Sequence, residues 1–197
     1  MPLGAFKAAL MGTAGVSTAG DVVLLSTQTA SDSASLSFTS DITSTYGEYI
    51  FKFYNINPAS NGAALYFNMS TDGGSNYDVV KTTSAFYALH GENDDNGNLQ
   101  YDTSLDLAES AAYTSMWVRG IGNGADESGV GELHLFNPAS TTYVKHFFTR
   151  CSCLQEDDRA NNGFVAGYGN TTSAINAVDF KPNTGNFDGK IKMWGVK

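Results

Sequence analysis

The chain has 197 residues, and 20 acidic against 11 basic side chains give a formal net charge of −9. This charge argues against a nucleic-acid partner, because proteins that bind phosphate backbones neutralise them with lysine and arginine. Twelve Phe and ten Tyr in a background of Ser, Thr, Gly and Asn favour short strands joined by polar turns over a helical bundle. The length suits one domain with a substantial core, which we place at residues 21–197.

Residues 1–20 differ from the rest of the chain, because they are rich in Ala, Gly and Met and show no alternation of apolar residues. They make a poor secretion signal and are too short to span a bilayer, so we expect no membrane insertion. We interpret them as an extended N-terminal arm that attaches the protein to a neighbouring subunit. An unattached terminus is the alternative interpretation. The attaching side chains would be the apolar ones, Leu3, Phe6, Leu10 and Met11.

Strand signals recur from Val22 to the C-terminus. Tyr49, Phe51 and Phe53 alternate with other residues and so share one face of a strand. The predicted strands are residues 22–25, 36–38, 49–54, 65–69, 115–119, 132–136, 143–149, 163–168, 175–180 and 190–196. About ten strands separated by turns indicate an all-β fold, an antiparallel β-sandwich of jelly-roll-like type. No alternation of strands with helices is present, which argues against a parallel α/β fold.

The sequence Asn-Pro-Ala-Ser occurs twice, beginning at Asn57 and at Asn137, each time between two predicted strands. Proline fixes φ and lacks a backbone donor, so it suits a corner better than a central strand. Asparagine before proline favours extended or turn conformations. We therefore expect two equivalent corners, each turning an aromatic strand back on its own sheet.

Residues 85–113 are predicted to be irregular, with a weak helical turn near residues 105–112. They contain an exposed acidic loop, in which Glu92, Asp94, Asp95 and Asn96 are the candidate ligand-facing residues. The loop aligns partly with a calcium-binding loop, but its twelfth position is Thr103, where a bidentate Glu is needed. A hydrated surface loop is therefore favoured over a metal site, and we assign no cofactor.

The cysteines and histidines show no ligand spacing. Cys151 and Cys153 are separated by one residue, so both point to one face of a strand, and a disulfide in so small a ring would be strained. We expect reduced, partly buried thiols. His134 and His146 lie on adjacent predicted strands and are placed to face each other, but a histidine pair without a carboxylate or cysteine partner is more often structural.

Catalytic motifs are missing from the sequence. It has no Gly-x-Ser-x-Gly elbow, and its Gly-rich stretch at residues 120–124 leads into a polar loop and not into a helix. Carbohydrate binding is the stronger alternative, because β-sandwich lectins use exposed aromatic side chains. Such side chains are more often core residues. The candidates here are Trp117, Trp194, Tyr87 and Tyr101.

Three segments resemble structural proteins of tailed bacteriophages. They are the strand, corner and Ser-Thr-Asp-Gly-Gly turn of residues 49–78, the sequence of residues 129–138, and the closing Phe-Asp-Gly-Lys-Ile-Lys-Met-Trp-Gly-Val-Lys of residues 187–197. The resemblance extends from the first strand pair to the C-terminus, which is about three-quarters of the chain. The resemblance implies a virion component exposed on the head or tail, and it carries no active-site residue.

The sequence therefore predicts a non-enzymatic virion protein, either a capsid decoration (cement) protein or a tail or fibre subunit. Its expected partners are copies of itself, as a trimer, and the major capsid protein or tail proteins, with assembly in the cytoplasm of the bacterial host. A tail-fibre module that binds host glycans is the alternative. A polysaccharide-degrading tail enzyme is weaker still, because that chemistry requires paired carboxylates that the spacing does not provide.

Overall fold

A computed structural model of the protein describes residues 21–94 and 97–197. In these ranges the chain forms twelve strands and a short 3-10 helix at Thr103–Leu105. The strands are β1 (Val22–Ser33), β2 (Leu36–Phe38), β3 (Glu48–Pro58), β4 (Leu65–Ser70), β5 (Lys81–Gly91), β6 (Asn98–Tyr101), β7 (Thr114–Ser115), β8 (Gly129–Phe136), β9 (Lys145–Gln155), β10 (Arg159–Gly169), β11 (Ala177–Pro182) and β12 (Phe187–Val196). The predicted arm at residues 1–20, with Leu3, Phe6, Leu10 and Met11, lies outside the described residues.

The strands form two antiparallel sheets that pack against each other. The large sheet has eight strands in the order β1-β12-β3-β8-β9-β10-β5-β6, and the small sheet has four in the order β2-β11-β4-β7. Each pairing of neighbouring strands is antiparallel. The prediction of an all-β antiparallel sandwich is confirmed. No helix among the described residues is long and apolar enough to cross a membrane.

Aromatic side chains between the two sheets form the centre of the core. Tyr49, Phe51 and Phe53 of β3 are all buried, as their alternation predicts. Phe180 of the small sheet lies 5.2 Å from Phe51 and 5.3 Å from Phe53, measured between ring centroids. Phe38 joins the same cluster from β2. Edge-to-face contacts of this kind add to the free energy gained by burying the rings.

Four strands extend the large sheet beyond β8, and we call β9, β10, β5 and β6 the lateral extension. Its inward face has a second apolar cluster, in which Ala85, Tyr87 and Val165 pack with Val118 and Leu105. The last two residues belong to the long connection between β6 and β8. This connection therefore covers the extension from the inside, while the outward face of the extension stays open.

The prediction that residues 85–113 are irregular is wrong for two segments. β5 continues to Gly91, and Asn98–Tyr101 form β6, which pairs with β5. β5 begins with Lys, Thr, Thr and Ser, so its alternation is between small and polar side chains and is hard to see in the sequence. The weak helical turn is limited to three residues of 3-10 helix at Thr103–Leu105.

The predicted strand at residues 115–119 is also largely wrong. Only Thr114–Ser115 pair with β4, as β7. Met116, Trp117 and Val118 that follow are consecutive and all buried, which a strand with one solvated face does not allow. The apolar run reflects a buried connection that fills the space beneath the large sheet.

The two Asn-Pro-Ala-Ser sequences have different roles, so the prediction of equivalent corners is wrong. Asn57 and Pro58 end β3, after which the chain crosses from the large sheet to the small one. The Asn57 side chain donates hydrogen bonds to the backbone oxygens of Gly124 and Glu127, at 3.1 and 2.7 Å. Asn137 has a φ of 44° and starts the turn from β8 to β9, which are neighbours in one sheet. The same four residues therefore follow different backbone paths, because they contact different segments that are distant in sequence.

Candidate interaction surface

The outward face of the lateral extension and of β8 carries a group of aromatic side chains. Because side chains alternate between the two faces of a strand, the residues between the buried positions point away from the core. We define the outer aromatic face as Phe86, Phe136, His146, Phe148, Phe164 and Tyr168. Phe86 and Phe148 are 45% and 40% exposed, values unusual for Phe in a folded protein.

Cross-strand register brings these rings together. Phe86 of β5 is opposite Phe164 of β10, and their rings stack with centroids 4.8 Å apart and planes 12° apart. Phe148 of β9 is opposite His134 of β8, and those rings stack at 4.5 Å. Phe136 lies 5.7 Å from Phe148. The rings therefore form neighbouring stacked groups on one face of the sheet, and Phe86 and Phe148 remain partly open to solvent.

Two grooves run between the rings. One has a volume of about 490 Å³, and its walls include Ser84, Phe136, Phe148 and Tyr168. A smaller one, of about 180 Å³, lies between Phe86, Phe148 and Phe164. Since Phe148 lines both, the grooves meet at its side chain. Shallow apolar grooves with aromatic walls are typical of surfaces that bind another molecule.

A row of charged side chains borders the aromatic rings. Lys52 Nζ lies 3.8 Å from a carboxylate oxygen of Glu132, and the Arg150 guanidinium lies 5.6 Å from the centre of the Phe164 ring. His134 Nδ1 lies 2.5 Å from Glu48 Oε1. The border therefore carries both signs of charge beside the apolar rings. Arginine and aromatic residues are enriched at protein interfaces.

A larger groove, of about 710 Å³, crosses this charged row. Its lining includes Lys52, Tyr54, Glu132, Arg150 and Asn162. Tyr54 is 39% exposed, and its aromatic side chain lies beside hydrogen-bond donors and acceptors. A ring next to polar groups is also the arrangement with which proteins hold a sugar ring.

The predicted acidic loop lies at one end of the extension. Glu92 and Asp94 are exposed, and the backbone N–H of Glu92 donates to the Asp158 carbonyl at 3.0 Å. His90 lies 3.3 Å from Asp94, while Asp95 and Asn96 lie outside the described residues. A groove of about 340 Å³ beside the loop includes His90 and Glu92 in its lining. In the described parts of the chain, no three His, Cys, Asp or Glu side chains are grouped to hold a metal ion.

The predicted juxtaposition of His134 and His146 is wrong. The register places His134 opposite Phe148, while His146 is opposite Tyr168 on the next strand. The turn between β8 and β9 is longer than the sequence suggested, since β9 begins only at Lys145. His134 instead has carboxylate partners, Glu48 and, at 3.4 Å, Glu132.

The cysteine prediction is confirmed. Cys151 and Cys153 are both free and buried, on the inward face of β9. Burial raises the pKa of the Cys151 thiol well above its usual range and the pKa of Cys153 to about 12. Such thiols stay protonated at neutral pH and are poor nucleophiles.

The four aromatic residues considered for carbohydrate binding are not brought together. Trp117 and Tyr87 are 1% exposed, so they are core residues, and the Tyr87 hydroxyl donates to Gln100 at 2.8 Å. Tyr101 is exposed and its hydroxyl donates to Asp106, while Trp194 lies half-buried on β12. The aromatic residues that do cluster were missed, because their grouping depends on strand register.

The fold and the surface together define the class of this protein as a two-sheet antiparallel β-sandwich with an aromatic face on a laterally extended sheet. Comparison of the chain with protein-family models, with curated protein sequences and with solved structures finds no match.

Proposed function

We propose that this protein is a non-enzymatic structural subunit of a virion, and that its outer aromatic face is buried against another copy of the chain. The observation that carries the proposal is the set of aromatic rings that line the two grooves meeting at the exposed Phe148 side chain. In a monomer the apolar surface of this patch stays in contact with water. Its burial against a neighbouring subunit is favourable by about 25 cal/mol per Å² of apolar surface. A capsid decoration protein and a tail or fibre subunit both require this kind of contact.

The chemistry of the surface supports association between proteins. Aromatic rings at the centre with Arg150, Lys52 and Glu132 at the border match the composition of protein interfaces, where charges lie at the rim. A stable contact buries about 800 Å² on each partner. In a cyclic trimer the face would pack against a different surface of the next subunit. Attachment to capsid or tail proteins would use the apolar side chains of residues 1–20.

The strand order supports the finer interpretation of the fold as a jelly roll. Without the lateral extension, the large sheet reads β1-β12-β3-β8 and the small sheet reads β2-β11-β4-β7. From β1 to β4, each successive strand lies in the opposite sheet, as in the double Greek key of an eight-stranded jelly roll. The extension comes from two insertions, β5–β6 and β9–β10, which pair with each other through β5 and β10. Jelly rolls are common in capsid proteins and also in lectins.

The test is the oligomeric state and particle binding of the purified full chain. We expect a trimer at micromolar concentration in light scattering coupled to gel filtration, and binding to phage particles that lack the protein. Phe148→Ser should shift the trimer to a monomer. Tyr143→Ser is the matched control, because Tyr143 is 73% exposed but lines neither groove of the aromatic face. A wild-type monomer that does not bind particles would contradict the proposal.

Glycan binding is a second candidate, favoured by the 710 Å³ groove that places Tyr54 beside Lys52, Glu132, Arg150 and Asn162. Sugars bind with a ring face on an aromatic side chain and hydroxyls on polar groups. A glycan array, run with calcium and with chelator, tests it. Binding that Tyr54→Ala abolishes would support this function. If binding depends on calcium and is lost on Asp94→Asn, the acidic loop is the site instead.

A further inference from the structure

Lys81, the first residue of β5, is fully buried without a carboxylate partner. Its Nζ donates hydrogen bonds to Asn68 Oδ1 at 2.5 Å and to the Val79 carbonyl at 2.8 Å. Its residue surface is 0% exposed, and among the described residues no carboxylate oxygen lies within 4.0 Å of Nζ. A buried ammonium without an opposite charge is costly, so this lysine needs an explanation.

The Asn68 side chain is held in one orientation. It lies on β4, on the face opposite to the core residues Phe67 and Met69, and is also 0% exposed. Its Nδ2 donates to the carbonyls of Tyr77 and Ala111, at 2.7 and 2.9 Å. Its Oδ1 accepts the Met69 N–H at 2.8 Å, in addition to Lys81. The amide is therefore fixed, and its oxygen has a backbone donor that would stabilise negative charge.

The hydrogen bond between Lys81 and Asn68 sets an upper limit on the distance between the lysine nitrogen and the amide carbon. A carbonyl bond is about 1.2 Å long, so with Nζ 2.5 Å from Oδ1 the Asn68 Cγ lies within about 3.7 Å of Nζ. Reacting atoms in well-oriented pairs are about 3 to 3.5 Å apart. The two side chains are thus held at a separation from which a bond between them can form.

Burial also favours the reactive form of the lysine. It lowers the pKa of Lys81 to about 7, against a smaller opposing effect of Asp78. A substantial fraction of the amine is therefore neutral near neutral pH, and only the neutral amine is a nucleophile.

We propose that Lys81 and Asn68 form an intramolecular isopeptide bond. Nζ attacks Cγ of Asn68, a Cγ–Nζ bond forms, and the Cγ–Nδ2 bond breaks. One proton passes from Nζ to the departing nitrogen, which leaves as ammonia, or as ammonium if the lysine begins protonated. No oxidant, reductant or co-reactant is needed. The bond joins β4 of the small sheet to β5 of the large one, and it does not depend on the proposed function.

A second buried lysine provides an internal control. Lys145 is also 0% exposed, and its Nζ donates to the backbone oxygens of Tyr143 and Thr171, at 2.6 and 3.2 Å. Burial lowers its pKa as well. Both of these partners are backbone carbonyls and neither is a side-chain carboxamide, so we expect Lys145 to remain a free amine.

The test is mass spectrometry of the full chain. The intact protein should be lighter than its sequence by one ammonia. Trypsin should fail to cleave after Lys81 and should cleave after Lys145. Chymotrypsin cleaves at Tyr77, which lies between Asn68 and Lys81 in sequence, so the fragments that carry these two residues should stay joined.

The controls separate this bond from other losses of ammonia. Succinimide formation at an Asn–Gly step has the same mass change, but it leaves the two fragments separate. Lys81→Met should restore the full sequence mass. If that variant does not fold, the wild-type fragments alone decide. A wild-type protein of full mass, or a loss located elsewhere than at Asn68, would overturn the proposal.

Discussion

Phe180 is the residue whose truncation should damage the sandwich most, because it links the two sheets at the centre of the aromatic cluster. Its ring is fully buried and lies 5.2, 5.3, 6.0 and 6.4 Å from the rings of Phe51, Phe53, Phe38 and Phe67. Replacing a buried Phe by Ala costs about 3–5 kcal/mol, through reduced burial and the cavity left behind. Because four aromatic rings would then face an empty space that two rigid sheets cannot close, we expect Phe180→Ala to reach the upper part of that range, about 4–5 kcal/mol.

Urea unfolding followed by tryptophan fluorescence measures this loss of stability, since Trp117 lies 5.6 Å from Phe53 in the same core. A loss of that size corresponds to a fall in melting temperature of about 10 °C or more for a domain of this length. The matched control is Tyr143→Ala, because Tyr143 is 73% exposed, lies outside the outer aromatic face, and its truncation should cost about 1 kcal/mol or less. Equal losses in the two variants would refute the assignment of the core to the space between the sheets.

Three further predictions concern titration, reactivity and close packing. Burial lowers the pKa of the free Lys81 amine from 10.5 to about 7 in the folded state, and Asn68→Ala removes the bonding partner and so leaves this amine free to titrate. The unfolded chain then binds more protons over that window, and the free energy of unfolding should rise with pH relative to the cross-linked wild type, as urea titrations at several pH values would show. The Cys153 thiol, whose pKa burial raises to about 12, should react with a disulfide reagent about tenfold or more slower in the native than in the unfolded protein. Gly120→Ala should lower the free energy of unfolding by about 2 kcal/mol, because its Cβ would lie 2.0 Å from the Gly62 carbonyl oxygen.

Each of these has a control and a contradicting outcome. Lys81→Met has no amine to titrate at this position, so its stability should not rise with pH relative to wild type. A rise in Lys81→Met would show that the pH dependence does not come from Lys81. Equal labelling rates in native and unfolded protein would show that Cys153 is accessible. Gly47→Ala is the control for close packing, because the nearest atom to its Cβ is Asn137 Oδ1 at an ordinary 3.6 Å. If Gly120→Ala costs no more stability than Gly47→Ala, the backbone of Gly62 is not in close contact with Gly120.

The sequence predicted strands well where large apolar residues alternate. In β3 the buried set of Tyr49, Phe51 and Phe53 followed directly from the period of two. In β5 the inward residues near its start are Lys81, Thr83 and Ala85, and no difference in size or polarity marks the two faces. Burial of polar residues there depends on contacts with other segments, which a local pattern does not contain.

The surface could not be predicted because its parts come from distant segments. Phe86 meets Phe164 only because β5 pairs with β10 in one register, and a shift by one residue would turn these rings to opposite faces. The four residues after Phe136 do not indicate how long the turn to β9 is, so the predicted position of His146 relative to His134 is wrong. The sequence predicts exposed aromatic residues, but the pairing of β5 with β10 determines which of them lie together.

The two insertions explain why the core and the aromatic face can be separate. β1, β12, β3 and β8 bury the central aromatic cluster against the small sheet, whereas β5, β6, β9 and β10 extend the large sheet sideways and carry all of the outer aromatic face except Phe136. The joint between the extension and the small sheet lies where the start of β5 meets β4. Lys81 and Asn68 lie at this joint, since one begins β5 and the other lies on β4. A covalent bond there would resist shear between the two sheets, which are not joined by hydrogen bonds between strands.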